Sequence, residues 1–120
     1  MSFILVDRLV FREAVMSKRE VTIARVYTLE GHDHLNQVLD VLQNQQKVIG
    51  VTVVRGIAGV GASGEMHTSS LLNLSLELPL VIEFHDEPEK VEKAIEVLKT
   101  QLDLKHIVSW PATAHIDATS

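Results

Sequence analysis

The chain has 120 residues, a formal net charge of −5 and no cysteine. That length fits one domain; the acidic balance offers no basic footprint for nucleic acid, and the missing thiols exclude disulfides, thiolate metal sites and cysteine nucleophiles. Hydrophobic residues make up 46% of the chain but aromatics only 4%, so the core is expected to be aliphatic.

The N-terminal stretch "MSFILVDRLVFREAVMSKRE" is not a secretory signal, because its short apolar run at Phe3 to Val6 is followed at once by Asp7 and Arg8. No stretch approaches the roughly twenty apolar residues of a membrane span. A cytoplasmic location without membrane insertion is the expectation. Residues 1–18 show no convincing periodicity and read as an N-terminal extension to a domain over 19–118.

"EVTIARVYT" is β-branched and apolar on both parities, which predicts a strand buried on both sides. In "GHDHLNQVLDVLQNQQK", Leu35, Val38, Leu39 and Leu42 fall on one helical stripe. Asp33 is placed to cap that helix and Gly50 to end it. "VTVVRGIAGV" reads as a second strand running into a glycine loop. "EMHTSSLLNLSLE" follows neither template cleanly, and "LPLVIEF" reads as a third strand. "DEPEKVEKAIEVLKTQL" carries Asp86 or Glu87 as cap, Pro88 in the first turn and a stripe of Val91, Ile95, Leu98 and Leu102. Its remaining charges form a solvated face. "HIVSWPATAHI" is the last strand, and Pro111 assigns it to a sheet edge.

The order β-α-β-β-α-β predicts an α+β ferredoxin-like sandwich. Two helices cover one face of a four-stranded sheet. Val21, Ile23, Val26, Tyr27, Val51, Val53 and Val54 then place apolar side chains on both faces. The uncovered face calls for another copy of the chain, in a closed homo-oligomer.

The segment "RGIAGVGASGEMHTSS" contains G-x-G-x-x-G at Gly59, Gly61 and Gly64, after Val51 to Val54 and ahead of Glu83. A dinucleotide site needs that loop to open a helix inside a parallel unit. The residues after it start a helix poorly, and Glu83 falls within a strand. Two readings stay open. The glycines permit a bend or close strand approach, or their backbone N–H groups form an anion-binding nest with Arg55, Ser63, His67 and Thr68.

"RVYTLEGH", R-G-x-x-G-x-G at Arg55 to Gly61, His67-Thr68 and L-P-x-x-I-E at Leu78 to Glu83 resemble the small bacterial and archaeal family catalogued as domain of unknown function 190. The similarity runs from about Glu20 to Asp117. It implies a ferredoxin-like fold akin to the nitrogen-regulatory PII proteins, which form trimers and bind effectors in clefts between subunits. Val60 stands where that family usually has an aromatic, and the loop after the first strand is short.

From the resemblance follows the expectation of a non-enzymatic PII-like regulatory or sensor protein. It would be a homotrimer binding a small anionic effector, such as a nucleotide, through Arg55, Gly56, Gly59, Gly61, Ser63, Gly64, His67 and Thr68. Loop ordering on binding would alter the surface offered to a transporter or enzyme. One alternative is a small isomerase or oxygenase using His67 with Glu83 or Glu65. Another is a metal-handling trimer using His32 and His34, although a capping or solvated role suits them better. Glu83 is expected in an ion pair with Arg25 or Arg55 rather than in an acid–base pair with His85. Ser63, Ser69 and Ser70 show no nucleophile elbow, and Trp110 reads as an interface or core aromatic.

Overall fold

The computed structural model describes residues 17–31, 34–60, 64, 66–68 and 78–116. The elements are β1 (Ser17–Leu29), α1 (His34–Asp40) with a π-helical turn (Val41–Gln45), β2 (Gly50–Arg55), β3 (Ala58–Val60), β4 (Met66–Thr68), β5 (Pro79–Asp86), α2 (Pro88–Leu102) and β6 (Ile107–Ile116). The main sheet has four strands in the order β2-β5-β1-β6. All its pairings are antiparallel. Each helical connection skips one neighbour, α1 crossing β5 and α2 crossing β1, which is the ferredoxin-like topology. β6 lies on an edge, the position expected of a strand that carries a proline, with Pro111 opposite Thr22.

β5 alternates along its whole length between half-buried and buried residues. A strand with one face on the core must do this, because successive side chains point to opposite faces. Its inward residues Ile82 and Phe84 meet Ala24 and Val26 of β1, Val38 of α1, Val41 and Leu42 of the π turn, and Val91, Ala94 and Leu98 of α2. Apart from Phe84 that cluster is aliphatic, as the composition requires.

Helix α1 ends differently from the expectation. At Val41 the ladder widens to a π turn, with Gln46 N–H donating to the Val41 carbonyl at 2.8 Å. The extra residue brings the adjacent Val41 and Leu42 both into the core, at 2% and 0% exposure. Lys47 takes the left-handed conformation, φ 53°, while Gly50 begins β2. Asp33 lies outside the described residues.

At α2 the cap is divided between two residues. Glu87 occupies the N-cap position without a side-chain cap bond, and Pro88 takes the first turn. The buried Asp86 accepts from Glu87 N–H at 2.6 Å and from Ile49 N–H at 3.0 Å. Lys90 Nζ stands 3.4 Å from the same carboxylate. Asp86 thus ties the helix start to the approach to β2.

The second strand is shorter than the sequence suggested. Its last rung pairs Arg55 with Leu80, after which Gly56 N–H donates to the Pro79 carbonyl at 2.7 Å. The chain then leaves the main sheet and β3 pairs with β4 in a separate two-stranded sheet.

Candidate functional site

A cleft of about 320 Å³ opens where the ends of three main-sheet elements meet the start of α1. Leu29, Glu30 and Gly31 contribute the turn out of β1, Leu35 and Asn36 the helix, Val53 and Arg55 the end of β2, and Leu80 the start of β5. Gly31 makes the turn with φ 93°, a conformation glycine adopts without steric cost. Glu30 N–H donates to the Leu78 carbonyl at 2.7 Å, which fixes that turn against the strand opposite. The aliphatic walls, Leu29, Leu35, Val53 and Leu80, thus meet three polar side chains, Glu30, Asn36 and Arg55.

Arg55 is the charged centre of this cleft. Its Nε lies 2.5 Å from Glu30 Oε2, with the Arg55 side chain 64% exposed and Glu30 22%. The glycine hairpin begins one residue later. A Cβ on Gly56 would stand 2.7 Å from Pro79 Cγ, and one on Gly59 would stand 3.1 Å from it. Gly56 is thus needed to seat the hairpin on Pro79, and a side chain at Gly59 would have to displace Pro79 by a few tenths of an ångström, which is the close-approach reading. Gly64 has φ 77° and open space around it, so its requirement is conformational.

The backbone register brings Gly59 opposite His67 and Ala58 opposite Thr68. The backbone of His67 and Thr68 therefore lies in the hairpin that Arg55 leads into; Gly61 and Ser63 lie outside the described residues. Ile57, just before β3, and Val60 within it are 79% and 61% exposed. Sequence reasoning missed Glu30 and Asn36 as cleft residues. The signal was present in "TLEGH", a carboxylate and glycine closing a long strand, but its partner Arg55 comes from another strand.

The face of the sheet opposite the helices carries a second polar cluster. Register places Ile23, Arg25 and Tyr27 beside His85, Glu83 and Val81, with Thr52 and Val54 on one flank and Trp110 and Val108 on the other. Arg25 Nε donates to Glu83 Oε1 at 2.8 Å and its guanidinium lies 5.3 Å from the Trp110 ring centre. Hydrogen bonding to Glu83, then to Tyr27, raises the Arg25 guanidinium above its ordinary value. Tyr27 stacks on His106 at 4.6 Å between ring centres. The expected ion pair of Glu83 is therefore present, with Arg25. His85 lies against Gly50.

Of the alternative chemistries, Glu83 is committed to Arg25, and Glu65 lies outside the described residues. Among the described residues no group of three or more His, Asp or Glu side chains could hold a metal ion. His32 lies outside them, as does the His34 side chain. No described helix is long and apolar enough to cross a membrane.

The profile of family DUF190, described as "Uncharacterized ACR", matches residues 20–114. The chain belongs to this family. DUF190 relatives include UPF0166 proteins of Aquifex aeolicus (strain VF5). One alignment is 42% identical over 50 residues, covering 42% of this chain and 48% of the relative. A second is 45% identical over 72 residues, covering 58% of this chain and 70% of the relative. The chain therefore spans about half the length of the first relative.

Solved structures share the fold of this DUF190 chain. CPII, a nitrogen-regulatory PII-like protein from Thiomonas intermedia K12 bound to ADP, AMP and bicarbonate, matches with TM-score 0.61 and 20% identity over 84% of this chain and 92% of its own. A protein from Thermus thermophilus described as PII-like and signaling matches with TM-score 0.57 and 9% identity, over 84% and 93%. CutA from Synechococcus elongatus PCC7942 matches with TM-score 0.54 and 12% identity, over 82% and 83%. At these identities the likeness establishes the PII-like, ferredoxin-like fold.

Proposed function

We propose that this DUF190 protein is a non-enzymatic PII-like regulator that binds a small anionic effector, a nucleotide such as ADP, in the cleft headed by Arg55. The observation that carries the reading is the placement of that guanidinium, at the mouth of an aliphatic cleft and one residue before the glycine hairpin. An adenine or similar ring would lie on the aliphatic walls, and the phosphates would take Arg55 together with hairpin N–H groups. Gly56, Gly59, Gly61 and Gly64 admit the backbone to the anion, while Ser63, His67 and Thr68 are the side chains assigned to it. The ADP and AMP bound by CPII support this ligand class. Residues 19–118 form the effector-binding unit, with residues 1–18 as an appendage.

The assembly is a cytoplasmic homotrimer that closes on the open sheet face. Val54 and Val108 there are 52% and 44% exposed, Ile23, Tyr27 and Val81 lie on the strands between them at half-burial, and the half-buried Trp110 shares β6 with Val108. Burial against another copy would stabilise association by about 25 cal/mol for each Å² of apolar surface removed. The cleft opens on the helix side at the β2 edge of the sheet, so a neighbouring copy that also wraps that edge would bring it to a subunit boundary, and hairpin ordering would change the surface met by a transporter or enzyme.

Isothermal titration with ADP, AMP and bicarbonate tests the ligand, and light scattering tests the assembly. Saturable ADP binding that is lost in Arg55→Gln is expected, from a particle of three chains. No heat with any of these anions would overturn the ligand claim, and a monodisperse monomer would overturn the assembly.

A further inference from the structure

In the cleft, the cation and its neutralising anion come from the ends of β2 and β1, the two strands that flank β5. Arg55 is the last residue of β2, held by its rung with Leu80. Glu30 follows directly on β1, its backbone N–H bonded to Leu78 and the next residue turned by Gly31. With both backbones fixed, the Glu30 carboxylate meets Arg55 without the translational entropy that a free ligand loses. Among the described lining residues Arg55 alone carries positive charge, so an incoming anion has no second guanidinium or ammonium there to use instead.

We propose that Glu30 is an internal counter-ion that competes with the effector's anionic group for Arg55 and thereby restricts the cleft to phosphate-bearing ligands. The inference rests on the anion-binding reading of the cleft. A lone carboxylate offers Arg55 nothing that Glu30 does not already supply, and it starts with the disadvantage of being intermolecular. A diphosphate carries more charge and several acceptor oxygens, so it forms a bidentate pair with the guanidinium and engages hairpin N–H groups at once. Displacement frees Arg55 from the β1 turn and lets it follow the ligand, next to Gly56 where the hairpin begins.

The experiment titrates ADP, adenosine and acetate into the full-length wild-type protein, Glu30→Gln, Arg55→Gln and the double variant. Gln keeps the size of the side chain and removes its charge. Glu30→Gln is expected to bind ADP about two- to fivefold more tightly, the range set by the worth of an exposed ion pair. Adenosine affinity stays unchanged, and the gain for ADP vanishes in the Arg55→Gln background. Acetate binds wild type far more weakly than ADP. Unchanged or weaker ADP binding by Glu30→Gln overturns the counter-ion role while leaving the ADP site standing. An equal gain for adenosine would also overturn it, because the substitution would then be opening the cleft rather than releasing a charge. Acetate binding as tight as ADP refutes the restriction to phosphates. If neither wild type nor Glu30→Gln binds ADP, the site and the counter-ion fall together. Circular dichroism and light scattering of each variant establish that the fold and assembly are retained.

Discussion

Gly56→Ala isolates the contact that seats the hairpin. The added methyl would stand 2.7 Å from Pro79 Cγ and 3.4 Å from the Pro79 carbonyl oxygen. Gly56 does not occupy the left-handed region, so alanine meets no backbone penalty there. Reduced unfolded-state entropy alone would then stabilise the protein by about 0.4–1 kcal/mol. A proline ring in a strand cannot rotate away, and forcing a methyl against it costs about 1–3 kcal/mol, as other overpacking does. The net expectation is destabilisation by up to about 2.5 kcal/mol, centred near 1 kcal/mol. Urea unfolding followed by circular dichroism at one fixed protein concentration measures it, the fixed concentration removing any shift from assembly. Pro79→Ala deletes the clashing Cγ. In that background Gly56→Ala becomes neutral or stabilising, and the double-mutant cycle yields the coupling directly. A stabilised Gly56→Ala single variant, or an undiminished cost in the Pro79→Ala background, refutes the steric account.

Asp86→Ala leaves the part-buried N–H groups of Ile49 and Glu87 without their acceptor, and about 1–3 kcal/mol of destabilisation is expected in the same urea assay. A loss below about 0.5 kcal/mol would show that the tether adds nothing net. Val54→Asp puts a charge on the open sheet face and is expected to shift the sedimentation coefficient toward that of a monomer; an unchanged coefficient refutes the role of this face in assembly. Asp40 accepts hydrogen bonds from Asn44 at 2.7 Å and Gln45 at 3.3 Å. These bonds, Asn44 first, hold its carboxyl below the ordinary value. The lowered folded-state pKa means this contribution is present above the unfolded carboxylate pKa and is lost as pH falls through the folded one. A carboxyl-carbon NMR titration should place Asp40 below the ordinary aspartate value, and Asn44→Ala should move it back up. No movement in Asn44→Ala contradicts the assigned cause.

The elements legible in the sequence were those set by one strong local pattern. Pro88 and the apolar stripe of Val91, Ile95, Leu98 and Leu102 marked α2, and the short apolar run "LPLVIEF" marked β5. Pro111 located the edge strand before any pairing was known, because its missing N–H has tertiary consequences that do not depend on the partner. The π turn was illegible, since a widened turn is selected by two adjacent core positions, Val41 and Leu42, and periodicity alone shows only one stripe. The β3–β4 hairpin was illegible too. Its three-residue strands carry no period of their own and depend on where Pro79 receives the chain. Glu30 escaped for a related reason, because its significance lies in Arg55, which reaches it only after β2 has paired with β5.

The glycine-rich string therefore mixes requirements that spacing cannot separate. Gly56 and Gly59 answer to a proline across the sheet, and Gly64 to a backbone conformation. A motif read as a ligand signature would assign all of them to the ligand, although the first two have a sufficient cause within the fold. Their packing is still what makes the proposed chemistry feasible. The contact of Gly56 with Pro79 fixes where β2 ends, and β2 ends on the guanidinium that heads the cleft. A substitution that lifts the hairpin from Pro79 would therefore move Arg55 relative to Glu30, so effector affinity and hairpin stability should vary together along a series of substitutions at Gly56.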